Sequence, residues 1–188
     1  MKNIILILIS LLFLTGVSEG KEVSYLQDSN GIKYEVNSET PYTGKYVKYY
    51  KNGQKRLEGN YKDGKEDGLW IYWYEDGQKQ VERNYKNGKK EGLFTTWFPN
   101  GQKMMEGNYK DEKKEGLWTT WHMNGKKWEE GNYKDGKEDG LWIYWYEDGQ
   151  KQVEGYYENG KNDGLWIYWD EEGNVTKTRT YKDGKLVK

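Results

Sequence analysis

Glu58 to Glu82 reads EGNYKDGKEDGLWIYWYEDGQKQVE, and the same 25 letters return unchanged from Glu130 to Glu154, 72 residues later. The offset is three times a shorter unit. Gly44, Gly68, Gly92, Gly116, Gly140 and Gly164 stand 24 residues apart, and so do Tyr61, Tyr85, Tyr109, Tyr133, Tyr157 and Tyr181. Trp70, Trp118, Trp142 and Trp166 share one column, which Tyr46 and Phe94 fill in the other units. Trp73, Trp97, Trp121, Trp145 and Trp169 share a second, with Tyr49 ahead of them, and only Trp128 stands outside both. A fixed period of this length signals supersecondary units that bury their apolar faces only by stacking on one another. The identical strings are the trace of a duplicated three-unit block.

Within the unit, LWIYWY is aromatic and β-branched and therefore strand-like. Asp76-Gly77 and Asn87-Gly88 are strong hairpin signals, and turn glycines recur too often for a helix. Each unit is thus read as two short antiparallel strands. Placing both dipeptides at the centres of two-residue turns sets Trp70 across from position 83, Tyr72 across from Val81, and Val81 across from Phe94. Both turns then agree that Trp70, Tyr72, Val81, Tyr85 and Phe94 share one face. Gly59, Gly107, Gly131 and Gly155 fall in the column across from the Trp column, where a bare backbone lets an indole lie over it, while Arg83 and Arg179 fill the remaining positions. The other face carries Leu69, Ile71 and Trp73 beside Gln80, Glu82 and Asn84, half apolar and half polar.

The fold expected is all-β: an elongated, twisted antiparallel β-meander or solenoid of stacked 24-residue β-hairpins, six units over residues 44–188. Residues 21–43 keep the aromatic spacing and an Asn-Gly turn and read as an N-terminal β cap, a degenerate repeat. With 34% hydrophobic residues, 10 Trp, 18 Tyr and no Cys, aromatic packing and backbone pairing must hold this body without disulfides. Residues 1–20, MKNIILILISLLFLTGVSEG, have a basic start, a short apolar run and small residues where a peptidase would cut. They read as a secretory signal peptide, with an uncleaved anchor as the alternative. Cleavage would leave no stable membrane span and place the protein in the periplasm, at the cell surface or outside the cell. The 30 basic and 31 acidic residues are interleaved, so no basic stripe is offered to nucleic acid.

With its G-L-W-x-x-W/Y, Asn/Asp-Gly and E-G-x-Y-K-x-G-K elements, the unit resembles the MORN repeat variant, as found in bacterial YwqK-family antitoxins. The resemblance runs from Gly44 to Lys188, and PYTGKYVKYYKNGQKRLEGNYKDGK looks like a first unit of that family. It implies single-layer or curled sheets of stacked hairpins. For function it implies a toxin antidote, a membrane-attaching repeat or a protein scaffold, and no catalysis by the repeats themselves. An export signal departs from the pattern of a cytosolic antidote.

Catalytic chemistry is poorly supplied. His122 is the only histidine and occupies the column of Tyr74, Phe98 and Tyr146, so it reads as an aromatic substitute. Ser24, Ser29 and Ser38, the only serines after the leader, all precede the first full unit, and no nucleophile elbow or phosphate loop is present. Acidic pairs such as Glu66-Asp67, Glu75-Asp76 and Glu147-Asp148 recur at turns and lack the spacing of a calcium loop. No enzyme, metal or cofactor is expected. The glycine column Gly68, Gly92, Gly116, Gly140, Gly164 with Trp70, Tyr85, Trp118, Trp142 and Trp166 is read as structural. Trp73, Trp97, Trp121, Trp145 and Trp169 are the binding candidate. Either they merely cover the second face of a thin sheet, or they form an exposed ladder suited to a protein partner or to sugar rings. The leading expectation is an exported, non-enzymatic scaffold for a protein partner. An antitoxin acting on a cognate toxin and a module for cell-wall or host glycans are the alternatives.

Overall fold

A computed structural model describes residues 23–188. The proposed signal peptide lies outside these residues. Strands β1 (Gln27–Ser29) and β2 (Ile32–Tyr34) form a small separate hairpin, turning at Asn30-Gly31. The body is one antiparallel sheet in which every strand pairs only with its sequence neighbours. It runs through β3 (Gly44–Tyr49), β4 (Lys55–Lys62), β5 (Lys65–Trp73), β6 (Lys79–Lys86), β7 (Lys89–Trp97), β8 (Lys103–Lys110) and β9 (Lys113–Trp121). It continues through β10 (Lys127–Lys134), β11 (Lys137–Trp145), β12 (Lys151–Glu158), β13 (Lys161–Trp169), β14 (Val175–Lys182) and β15 (Lys185–Leu186). The sheet is not closed, since β3 and β15 stand at opposite ends of its 13 strands. At about 4.8 Å per strand it extends for roughly 58 Å before twist. The all-β meander read from the sequence is the fold observed.

The two kinds of turn differ in their chemistry. At Asn87-Gly88 both residues have positive φ, 52° and 80°, as a two-residue turn between Lys86 and Lys89 requires. At Asp76-Gly77 only Gly77 does, at 87°. This turn has three loop residues, closed by Tyr74 N–H donating to the Gln78 carbonyl (2.8 Å) and Gly77 N–H to the Tyr74 carbonyl (3.0 Å). Gln80 then bulges out of β6, which restores Tyr72 opposite Val81 and Trp70 opposite Arg83. The sequence reading thus has the wrong turn and the right partners.

The opposite error occurs at the next corner. Val81 faces Thr96 rather than Phe94, and Phe94 faces Arg83. Two extra residues enter β7 around Gly92, whose φ of 88° is costly for any residue bearing a Cβ. A slip of two preserves the side to which every side chain points, so the shared face of Trp70, Tyr72, Val81 and Phe94 survives the wrong register. Gly68, Gly116, Gly140 and Gly164 have φ between 71° and 83° at the equivalent corners. The 24-residue glycine column is therefore a column of bulges.

The indole face supplies the core. Trp70, Trp118, Trp142 and Trp166 are only 3–4% exposed in a sheet one layer thick. Each lies flat over the glycine 11 residues before it: a Cβ on Gly59, Gly107, Gly131 or Gly155 would come within 2.1–2.2 Å of the ring. The covering indole comes from the strand after the glycine, not from the strand before it. Each indole N–H also reaches the carbonyl of the residue after that glycine, at 3.1–3.2 Å from Asn60, Asn108, Asn132 and Tyr156. Tyrosines meet the indoles edge-on from both sides, so Tyr109, Trp118, Tyr133, Trp142, Tyr157, Trp166 and Tyr181 form one chain with centroids 5.0–6.2 Å apart. Arg83 breaks the pattern. Its guanidinium lies 4.4 Å from the Tyr72 ring centre, and the residue 11 positions later is the smaller Phe94.

The ribbon's ends are covered. Val23 pairs in parallel with the outer edge of β3, donating to Lys45 O and accepting from Val47 N, while Tyr42 packs with Tyr46, Tyr61 and Trp70. At the other end β14 is not left as a bare edge. The short β15 folds back on β14, with Val187 and Lys188 bonding to Thr180.

A methyl group at Gly107 has no space beneath Trp118, so Gly107→Ala is expected to cost about 1–3 kcal/mol in urea unfolding. Conversely, Phe94→Trp should gain stability only together with Arg83→Gly; a double-mutant cycle with no coupling would contradict the stacking described.

Candidate functional site

Turning the sheet over exposes the second face, where Leu69, Leu93, Leu117, Leu141 and Leu165 are 38–53% exposed. They form one column, spaced two strands apart, because each occupies the same bulge-adjacent position of its unit. Leu69, Leu93 and Leu117 face Asn84, Asn108 and Asn132, but Leu141 faces Tyr156, itself exposed. Leu141, Tyr156 and Leu165 thereby make the apolar density rise toward the C-terminal units. The sequence places Leu69 on this side, and the 24-residue spacing of Leu69, Leu93, Leu117, Leu141 and Leu165 is the signal for the whole column.

The tryptophan ladder borders this column. Trp73, Trp97, Trp121, Trp145 and Trp169 are all half-buried. Lys55, Lys79, Lys103, Lys127 and Lys151 place their ammonium groups 5.6–5.9 Å from the respective ring centres. The same lysines pair with Glu58, Glu82, Glu106, Glu130 and Glu154, each three residues on, because the bulge between brings the two to one side. Such exposed pairs stabilise little individually. Their effect is geometric, since they hold a cation over one side of each indole.

The ladder's backbone is engaged as well. Tyr50, Tyr74 and Tyr146 donate their hydroxyls to the carbonyls of Trp73, Trp97 and Trp169, each at 2.8 Å. His122 Nε2 makes the same bond to Trp145 O at 3.1 Å, so the histidine replaces a tyrosine in a structural column. Turn carboxylates and amides act likewise: Asp76, Asn100, Asn124 and Asp148 accept from the backbone N–H two residues on. Where the residue is Asn, its amide N–H also reaches the next unit, from Asn52 to Glu75 O and from Asn124 to Glu147 O. Among the described residues no group of three or more His, Asp or Glu is placed to hold a metal ion.

One ionisable pair sits on the indole face. Glu129 stands where other units have Val81, Met105 or Val153, and burial raises its pKa although Thr120 donates to it at 3.2 Å and Lys114 lies nearby. Burial also lowers the pKa of Lys114, whose ammonium lies 4.3 Å from the Trp118 ring centre. Tyr85 and Tyr133 are each pushed up to about 12 by the same loss of water.

What this geometry defines is a repeat scaffold: a single-layer ribbon with an aromatic core on one side and a broad mixed surface on the other. The family model of the MORN repeat variant matches residues 42–63, 66–87, 90–111, 114–135, 138–161 and 162–183, and the chain belongs to that family of non-catalytic repeats. No curated protein matches the chain. Among the described residues no helix is long and apolar enough to cross a membrane.

A carboxyl whose folded pKa is raised favours the fold below its unfolded pKa and loses that contribution as pH rises through the folded value. Glu129→Gln should therefore melt higher than the unsubstituted protein at neutral pH, with the difference shrinking as the pH falls through the carboxylate range. A gap that widens on acidification would contradict the burial of this carboxylate.

Proposed function

We propose that this protein is an exported, non-enzymatic scaffold that holds a partner protein at the cell envelope or outside the cell. The observation carrying the proposal is the column of five exposed leucines recurring every second strand on one sheet face, beside isoleucine and half-buried indoles. Apolar side chains set among asparagines and edged by Glu and Lys have the mixed apolar and polar make-up of a protein interface. MORN repeats are scaffolds for protein or membrane interaction, and the apolar run within residues 1–20 supports export. The ladder tryptophans serve this surface mainly as a stiff border, because lysines occupy one side of each ring. A secreted toxin is one kind of protein partner. The antitoxin reading is carried by the resemblance to YwqK-family antitoxins alone and is separated from the general one by growth rescue on co-expression with a neighbouring toxin gene.

Substituting Leu93, Leu117 and Leu141 together by Glu should abolish partner capture from envelope and secreted fractions while circular dichroism and the melting curve stay close to those of the unsubstituted chain. Capture that persists in this variant would refute the leucine face as the docking surface. Cell fractionation and the mass of the mature N-terminus test export.

A further inference from the structure

Periodicity makes exceptions easy to see, and the largest exception is Trp128. Its column is the bulge position of each unit, filled elsewhere by Arg56, Gln80, Met104, Gln152 and Thr176. Trp128 is 45% exposed and stands beside His122, with ring centres 6.4 Å apart. This indole walls a cleft of about 420 Å³. That volume lies within the range of small-ligand sites, about 300–1,000 Å³.

The lining mixes two chemistries. His122, Trp128, Trp145 and Tyr146 supply aromatic rings, and Glu147, Asp148, Glu171 and Gln152 supply polar groups. Two ligand chemistries suit aromatic rings beside carboxylates: a cation, or a polyol with an apolar face. The protein's own lysines decide between them. Lys127 already holds its ammonium 5.6 Å from the Trp145 ring centre and pairs with Glu130, and Lys126 donates its ammonium to the Asp148 carbonyl. The cation's place over Trp145 is therefore already taken by the chain's own ammonium. A neutral ring with axial C–H groups on one side and hydroxyls around its edge does not compete for that place. Its hydroxyls donate to carboxylates and accept from the Gln152 amide.

We infer that this cleft is a subsite for one neutral hexopyranose ring of a glycan, stacked by its C–H face on Trp128 and held at its hydroxyls by Glu147, Asp148, Glu171 and Gln152. His122 is a positioning residue, since its Nε2 donates to Trp145 O and fixes the wall on which the sugar's second side rests. The subsite is separate from the leucine face and does not depend on it. No other unit carries Trp at this bulge position, so a single locus is involved rather than the whole tryptophan ladder.

The test is a titration of the purified full chain with chitohexaose and cellohexaose, and separately with tetramethylammonium chloride, following the indole N–H resonances of Trp128 and Trp145. Saturable shifts with at least one oligosaccharide are expected. Trp128→Gln, which installs the residue the next unit carries at this column, should weaken that affinity by roughly tenfold or more without moving the melting midpoint. Gln152→Ala, at an intermediate and partly solvated position, gives a second reading of the same site and should weaken it several-fold. The leucine-to-glutamate variant should bind the sugar unchanged, so failure of this subsite and failure of the docking face are distinguishable. No saturable shift with either oligosaccharide, equal affinity after Trp128→Gln, or saturation by tetramethylammonium instead of the sugars would each overturn the assignment.

Discussion

A tryptophan ring lying on bare glycine backbone is the contact on which this protein depends. A single-layer sheet has no second layer to exclude water, so apolar burial must be achieved within the layer itself. Removing the Cβ at Gly59, Gly107, Gly131 and Gly155 opens a slot one ring wide, and the indole closes it, bonds its N–H to the adjacent carbonyl and is flanked by two tyrosines. Fully buried Trp side chains are worth about 3–5 kcal/mol each against truncation. Four such rings, repeated along the ribbon, replace the interior that a composition with mean hydropathy of −1.20 cannot build.

The same constraint explains the uniform period. Successive units are bonded at both margins of the sheet, through Tyr50, Tyr74, His122 and Tyr146, and through Asn100 where Phe98 fills that column, on one side, and through turn N–H groups such as Gly88 to Glu66 O and Gly136 to Lys114 O on the other. An inserted residue would break two ladders and lift an indole from its glycine. The strands pack mainly on their sequence neighbours, so stability accumulates unit by unit. The indole face carries the core, and five leucines on the second face remain exposed beside its half-buried tryptophans.

Several features were legible in the sequence and others were not, for reasons that lie in particular residues. The sidedness of Trp70, Tyr72, Val81 and Phe94 was readable because it depends only on parity, which a bulge of two residues leaves intact. The partner of Val81 was not, because Gly92 looks like any repeat glycine until its φ is known. A signal for the direction of stacking was present all the same. The one Trp-column position that follows an Arg by 11 residues is Phe94, whereas all four that follow a Gly are Trp. The leucine column was equally visible in the letters, but its exposure was not, since leucine in a strand is more often buried.

By itself, then, the sequence determined the all-β class, the hairpin unit, the period and the two faces, since each follows from local turn chemistry and alternation along one strand. Only the tertiary structure decided which neighbour's indole covers each glycine, which apolar column is left to solvent, and that lysines sit over the ladder tryptophans. Those depend on contacts across the sheet, where a bulge of one or two residues changes the partner without changing the local pattern.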